Sequence, residues 1–237
     1  MRKTLMTAAL LAAAAFPQTA NAQVIINSLT PDPGYLAAST LNYTPLGYVF
    51  GNPGMSRFHV VGTDNGTPFD IFTYCVDALH AFHPGAFAWA DISVMVPDAG
   101  RQDQLLTLLT NSDLVLAAES DTLARKTISA ATQLAIWEIV HDSQDTPYDT
   151  TSGDLFTVGG NSGDARALAN TYLQKIADGS WTAIAGHKLQ VLFAGDNQSQ
   201  VYVTAVPEPA SWLTMIGGFA LVGGAVRRRR VTAYKAA

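Results

Sequence analysis

Cysteine is nearly absent from this sequence, whose 237 residues hold a single one, Cys75. One cysteine excludes an intramolecular disulfide, so no disulfide bond cross-links this fold. A lone thiol has three ordinary explanations: pairing with another chain, a reactive site, or a small buried apolar side chain. Outside the cytoplasm an exposed thiol is prone to oxidation, so the location of the protein bears on the choice.

Basic residues are scarce in the middle of the chain. Between Gln23 and Val206 there are seven Lys and Arg against eighteen Asp and Glu, which leaves a formal net charge of −11. We call residues 23–206 the body of the chain, and so acidic a segment argues against nucleic-acid binding. The length of the body suits one domain that buries a core of its own.

The N-terminus has the pattern of a secretory signal. Arg2 and Lys3 precede an apolar run over 5–16 that is too short to span a bilayer, and Ala20-Asn21-Ala22 supplies small residues for cleavage. We therefore predict a signal peptide over 1–22 and an exported chain that begins at Gln23.

The C-terminus contains a second apolar segment. Residues 210–226 carry no charge, and four arginines follow them directly. Such a segment is just long enough for a single transmembrane helix, with the arginines on the cytoplasmic side. Its four glycines disfavour a permanent helix. An ordinary single-pass anchor is one interpretation.

A short motif before this segment, Pro207-Glu208-Pro209 followed by Trp212, points to sorting instead. The motif, the apolar segment and the arginine cluster together resemble the PEP-CTERM signal of Gram-negative bacteria, although Leu213 stands where alanine is usual. The resemblance implies an exosortase-type protease as partner, removal of the tail and a producer of extracellular polysaccharide. The residues that carry it are Pro207, Glu208, Pro209, Trp212, Arg227, Arg228, Arg229 and Arg230.

Residue patterns in the body predict strands at both ends with helices between them. Short strands and loops are expected over 23–54, and a turn at Asp64-Asn65-Gly66 predicts a hairpin. The remaining predicted strands are 57–62, 69–76, one within 86–96, 188–193 and 200–205. The predicted helices are 102–110, 122–141 and 164–177, with a polar loop over 143–161. This order predicts an α+β fold.

Gln133 lies inside the most regular of the predicted helices. It shares a helical face with Ile136, Trp137 and Val140, which form an apolar stripe. A buried primary amide needs hydrogen-bond partners, and the usual partner is backbone.

Two segments are informative when taken together: Tyr74-Cys75-Val76-Asp77 and Thr132-Gln133-Leu134-Ala135-Ile136-Trp137. Together they resemble the thioester domain of bacterial surface proteins. The resemblance implies that Cys75 and Gln133 condense, with loss of ammonia, to a thioester that a nucleophile on a partner opens. Tyr74, Ile136 and Trp137 are expected to shield this bond from water.

Two other kinds of site are open to the same residues. Asp77, His80 and His83 follow at spacings of three and could bind zinc if that segment were helical, but Pro84 comes next. A cysteine hydrolase would need a histidine such as His141 beside Cys75. We expect neither metal nor cofactor.

The resulting prediction is an exported surface or matrix protein, not a turnover enzyme. The predicted thioester domain covers 23–205, with sandwich- or barrel-like strands and a helical insertion at about 101–178. A sorting segment at 206–230 with its single transmembrane helix and a tail at 231–237 follow. The expected acceptor is an amine or hydroxyl of a surface protein or polysaccharide. The alternative is a biofilm structural protein of the same sorting class without a thioester.

Overall fold

A computed structural model describes residues 24–143, 148–206 and 214–221. The predicted signal peptide, the Pro207-Glu208-Pro209 motif with Trp212, and the arginines 227–230 lie outside the described residues. Of the expected membrane segment, residues 214–221 are described and are helical. Within the described ranges, no helix has the length and apolar character needed to cross a membrane.

Six antiparallel strands form a closed barrel. Their order around the barrel is β1-β4-β5-β9-β8-β6, so β1 at the start of the described chain closes against β6. Most of these strands were predicted within a few residues. Their bounds are β1 Val24–Ala37, β4 Gly54–Asp64, β5 Thr67–Cys75, β6 Gly85–Ala90, β8 His187–Phe193 and β9 Gln200–Ala205.

A second, three-stranded sheet has the order β3-β2-β7, with β2 at Thr40–Tyr43, β3 at Tyr48–Gly51 and β7 at Leu155–Val158. β7 corrects the prediction of a polar loop over 143–161. Only four residues long, it is held by pairing with β2, more than a hundred positions away in the chain. A strand stabilised by so distant a partner leaves little local signal in the sequence.

The hairpin between β4 and β5 sets the position of Cys75. Asn65 and Gly66 form its two-residue turn with φ of 48° and 82°, both in the left-handed region that primed turns require. The predicted turn is therefore confirmed. Because turn geometry fixes the register of a hairpin, it also fixes which residue ends β5, and that residue is Cys75.

Three α-helices lie in the described part of the chain between β6 and β8: α1 Ala99–Ala118, α2 Thr122–His141 and α3 Gly163–Ala177. Strands and helices together confirm the α+β class. The prediction of 102–110 for α1 was too short. Leu116 extends the buried face of Leu105, Leu108 and Leu109, so packing continues the helix past the polar run Asn111-Ser112-Asp113.

Helix α2 has the predicted bounds. The side chain of Asp121 accepts a hydrogen bond from the Ala124 N–H and caps its first turn. Gln133, Ile136 and Trp137 of the predicted apolar stripe are buried, and so is every other residue from Ile128 to Ile139. The helix packs against barrel strands β1, β4 and β5 and against both other helices, so it has no solvent face over this stretch.

Candidate functional site

Cys75 is the last residue of β5 and lies in the main hydrophobic core. Its exposed fraction is 2%, and it is a free cysteine. Burial raises the pKa of its thiol to about 12, because a thiolate would be poorly solvated there. The thiol is therefore protonated at neutral pH and protected from oxidation by its surroundings.

Gln133 meets Cys75 across 58 positions in sequence. Its Oε1 accepts a hydrogen bond from the Cys75 backbone N–H at 2.9 Å, and its Nε2 donates to the Cys75 carbonyl oxygen at 2.7 Å. Both residues are buried. We call this pair of bonds the amide clamp. It satisfies the amide and holds the side chain of Gln133 against the residue that carries the thiol.

The sulfur itself contacts a residue that the sequence interpretation missed. Gln200 stands directly opposite Cys75 in the pairing of β5 with β9. Its Nε2 lies 3.3 Å from Cys75 Sγ, and its Oε1 lies 3.7 Å from the same atom. The hydroxyl of Thr73 donates to that oxygen at 3.0 Å, which orients the amide nitrogen toward the sulfur. Gln200 therefore supplies a donor to the sulfur.

The three residues expected to shield the site are all buried. Tyr74, Ile136 and Trp137 are 2%, 0% and 3% exposed and belong to the same core cluster as Cys75. Of the three, Trp137 also lines the cavity that reaches Cys75. Tyr74 precedes Cys75 in β5, so its side chain leaves the opposite face of the strand.

One cavity of about 330 Å³ reaches Cys75, and we call it the acceptor pocket. Its volume falls at the lower end of the range of small-molecule sites. Apolar and aromatic side chains dominate its walls, with two polar side chains among them. The lining residues are Leu41, Phe50, Gly51, Pro53, Gly54, Phe58, Cys75, Ala78, His80, Ala81, Trp137 and Gln198.

The structure brings together two of the three residues considered for zinc. His80 Nδ1 lies 2.5 Å from Asp77 Oδ2, whereas the backbone of His83 is bound by the side chain of Asn197. Across the described ranges, no group of three His, Cys, Asp or Glu residues could hold a metal ion. The segment after Val76 is not helical, so the spacing of three does not align these side chains.

His141 is not arranged as a base for the thiol. Its Nε2 accepts a hydrogen bond from the Ala78 N–H at 3.1 Å, and its ring packs edge-on against Tyr43. Burial lowers its pKa, which favours the neutral ring. With Nε2 occupied by a backbone donor, these contacts give no support to the hydrolase interpretation.

Together these contacts place an amide carbonyl and a thiol in one buried site. The carbonyl of Gln133 is polarised by a backbone N–H, the sulfur of Cys75 has an amide donor, and a pocket reaches Cys75. A hydrogen-bond donor aimed at a carbonyl oxygen stabilises the negative charge that develops when that carbonyl is attacked. The arrangement is suited to acyl transfer at Gln133.

No protein-family model matches the chain, and no curated protein sequence matches it. Among solved structures, the chain is similar to the N-terminal domain of the Streptococcus pyogenes pilus tip adhesin Cpa. The TM-score is 0.44 and the identity 16%, over 73% of this chain and 95% of that one. It is also similar to the thioester domain of the Staphylococcus aureus TIE protein, with a TM-score of 0.40 and 12% identity over 78% of each chain. Both similarities are weak, so we base the function on the site's geometry.

Proposed function

We propose that Cys75 and Gln133 form an internal thioester and that the protein transfers the Gln133 acyl group to a nucleophile on a partner. The amide clamp is the observation that carries this proposal. It fixes the amide carbonyl of Gln133 beside Cys75 without any flexible segment, which is the proximity that a weak acyl donor needs.

Formation of the bond is balanced by release of ammonia. Cys75 Sγ attacks Gln133 Cδ, the Cδ–Nε2 bond breaks, and the thiol proton leaves with the amine as ammonia. The Cys75 N–H that donates to Oε1 stabilises the tetrahedral intermediate. The amide donor of Gln200 at 3.3 Å stabilises charge on the sulfur as it attacks and later as it leaves.

In use, the acceptor attacks Gln133 Cδ, the Cδ–S bond breaks, and Cys75 regains a thiol. The product is one covalent attachment for each protein molecule, so the protein acts as a single-use acyl donor and not as a turnover enzyme. We assign it to adhesion or to cross-linking at the cell surface or in an extracellular matrix.

Export and sorting belong to the same proposal. The signal pattern over 1–22 and the PEP-CTERM resemblance of the C-terminal segment support a surface location in a Gram-negative bacterium, with an exosortase-type protease as the processing partner. Membrane attachment through the segment at 210–226 would precede this processing.

Intact mass spectrometry tests the thioester. We expect the purified protein to be lighter than its sequence by one molecule of ammonia, and methylamine should add to this form and restore a titratable thiol. Peptide mapping should show residue 75 joined to residue 133. A full sequence mass with an unmodified glutamine at 133 would contradict the proposal. The alternative, a structural matrix protein without a thioester, would then be favoured.

Variants separate the two glutamines that touch Cys75. Gln133→Ala and Cys75→Ser should both have the full sequence mass. Gln200→Leu should keep the mass deficit, because we assign Gln200 to the sulfur and not to the acyl group. If the ammonia mass deficit remained in Gln133→Ala and disappeared in Gln200→Leu, Gln200 and not Gln133 would be the residue that supplies the acyl group.

A further inference from the structure

The acceptor pocket holds a histidine that thioester formation does not use. His80 lines the same 330 Å³ pocket as Cys75, and its side chain is 47% exposed. A molecule in this pocket would therefore contact both residues. The proposed thioester requires Cys75 and Gln133 only, so His80 is available for another role.

Asp77 orients this ring. Its Oδ2 lies 2.5 Å from His80 Nδ1, and its other oxygen accepts a hydrogen bond from the Leu79 N–H at 2.8 Å. The side chain of Asp77 is 10% exposed, so the carboxylate is fixed within the fold. A carboxylate on Nδ1 places the proton of neutral imidazole there and leaves Nε2 as an acceptor.

We infer that His80 is the general base for acyl transfer and that the acceptor in the pocket is a hydroxyl group of a carbohydrate. This inference rests on the proposed thioester and adds to it the acceptor class and a catalytic residue. Since general bases in proteins contribute about 10² to 10⁴ in rate, the loss of His80 should be easy to measure.

The need for a base distinguishes the two acceptor classes. An amine in its free-base form attacks a thioester without help, whereas a neutral hydroxyl must lose its proton as it attacks. An oriented Asp77–His80 pair at the pocket that reaches Cys75 therefore serves a hydroxyl acceptor. For an amine that is already deprotonated, this pair would increase the rate of attack only slightly.

The walls of the pocket agree with a sugar. Three aromatic residues, Phe50, Phe58 and Trp137, line the pocket, and aromatic rings suit the flat C–H faces of a pyranose. His80 and Gln198 line it as well and are able to hydrogen-bond with hydroxyls. None of the described lining residues carries a carboxylate, so an ammonium group would enter the pocket without a charged partner there.

The transfer is balanced in protons and bonds. His80 Nε2 takes the proton of the hydroxyl as its oxygen attacks Gln133 Cδ, and the Cδ–S bond breaks. The imidazolium then gives this proton to Cys75 Sγ. An ester at residue 133 and a neutral thiol at Cys75 result, and no other reactant is consumed.

Two probes of different class test this inference on the purified thioester form. Methyl α-glucopyranoside offers hydroxyls, and methylamine at alkaline pH offers a free amine. Adduct formation is followed by intact mass. In His80→Gln we expect the sugar adduct to form at least about 100-fold more slowly, while the methylamine rate changes by no more than about threefold. The ammonia deficit should remain.

His83→Gln is the matched control, since His83 lies three positions away and does not line the pocket. It should react with both probes like the original protein. Equal sugar rates in the two variants, or an adduct with methylamine only, would overturn the inference and leave the thioester intact. Absence of the ammonia deficit in the original protein would instead reject the proposed function and this inference with it.

Discussion

The burial of Cys75 has opposite consequences for its thiolate form and for the proposed thioester. A thioester is neutral, so burial costs it little hydration free energy. A thiolate is charged and loses far more hydration on burial, which is why the pKa of this thiol rises to about 12. Spontaneous hydrolysis must release that thiolate into a poorly solvating site. The departing sulfur therefore needs a proton donor or a hydrogen-bond donor. Gln200 lies within hydrogen-bond distance of this sulfur, and His80 lines the same pocket as Cys75.

Glu138 is a second buried titratable side chain, one helical turn beyond Leu134 in α2. Its carboxyl is fully buried. Burial, with smaller contributions from Asp142 and Asp149, raises its pKa from 4.5 to about 9. In the folded protein the group stays protonated at neutral pH, while in the unfolded chain it ionises near its ordinary pKa.

This difference predicts a pH-dependent stability. The raised pKa of Glu138 has no effect on stability below about pH 4.5. Its destabilising effect grows as pH rises toward 9, because only the unfolded state releases the proton over that range. We expect Glu138→Gln to raise the free energy of unfolding by roughly 1–3 kcal/mol at pH 8 and to have little effect at pH 4.5.

Urea unfolding at these two pH values measures the effect. Glu119→Gln, at the partly exposed end of α1, is the control and should leave the pH dependence unchanged. If Glu138→Gln raised the free energy of unfolding equally at both pH values, ionisation of Glu138 would not be the source of the pH-dependent stability.

The residues of the site differ in how far the sequence revealed them. Cys75 and Gln133 stood out because each is unusual in its place, a lone thiol in an exported chain and an amide among apolar neighbours. Gln200 did not, because its contact with Cys75 depends on which residues of β5 and β9 face each other across 125 positions. Asp77 and His80 were recognised as a cluster, but spacing alone could not show that only these two meet.

At the scale of elements, the barrel depends on a close approach of β4 to both of its neighbours. A methyl group at Gly62 would meet the backbone oxygen of Ile25 on β1 and would lie 2.7 Å from a ring carbon of Phe69 on β5. The register of β1 against β4 shifts between Ile26 and Ser28, beside this contact. Glycine at this position lets the three strands pack together.

We therefore expect Gly62→Ala to lower the free energy of unfolding by about 1–3 kcal/mol, as overpacking does in other cores. The midpoint of urea unfolding measures it. Gly85→Ala is the control, because at the start of β6 nothing lies within 4 Å of the added methyl group. Equal midpoints for the two variants would contradict the close approach described here.

Elements with strong local signals were predicted well and the others were not. α2 has a cap at Asp121 and a continuous helical pattern, and the β4–β5 hairpin has an Asn-Gly turn, so both were placed from sequence. β7 and the second half of α1 owe their existence to packing against distant parts of the chain. The closure of β1 against β6 is likewise a long-range pairing that no local pattern specifies.

At the scale of the whole molecule, the proposed thioester would be a cross-link within the fold. It joins positions 58 residues apart, and by analogy with disulfides, closing a loop of that size stabilises the fold by about 4 kcal/mol. For a domain of this size that corresponds to roughly 10 °C in Tm. We expect methylamine treatment to lower Tm by about this amount.

The same treatment of Cys75→Ser, which cannot form the thioester, controls for general effects of the amine and should leave Tm unchanged. If methylamine opens the bond, as shown by mass, yet Tm stays the same, the cross-link adds nothing to stability and the amide clamp with its packing holds the site by itself.

The amide clamp also determines where mechanical load would enter the molecule. After transfer, the partner would be covalently attached to the side chain of residue 133, in the middle of α2, and not to a terminus or a surface loop. To pull this helix out, a force would have to separate it from the barrel strands on one side and from α1 and α3 on the other, along a stretch where every residue from Ile128 to Ile139 is buried. The attachment point is thus among the most firmly anchored parts of the chain.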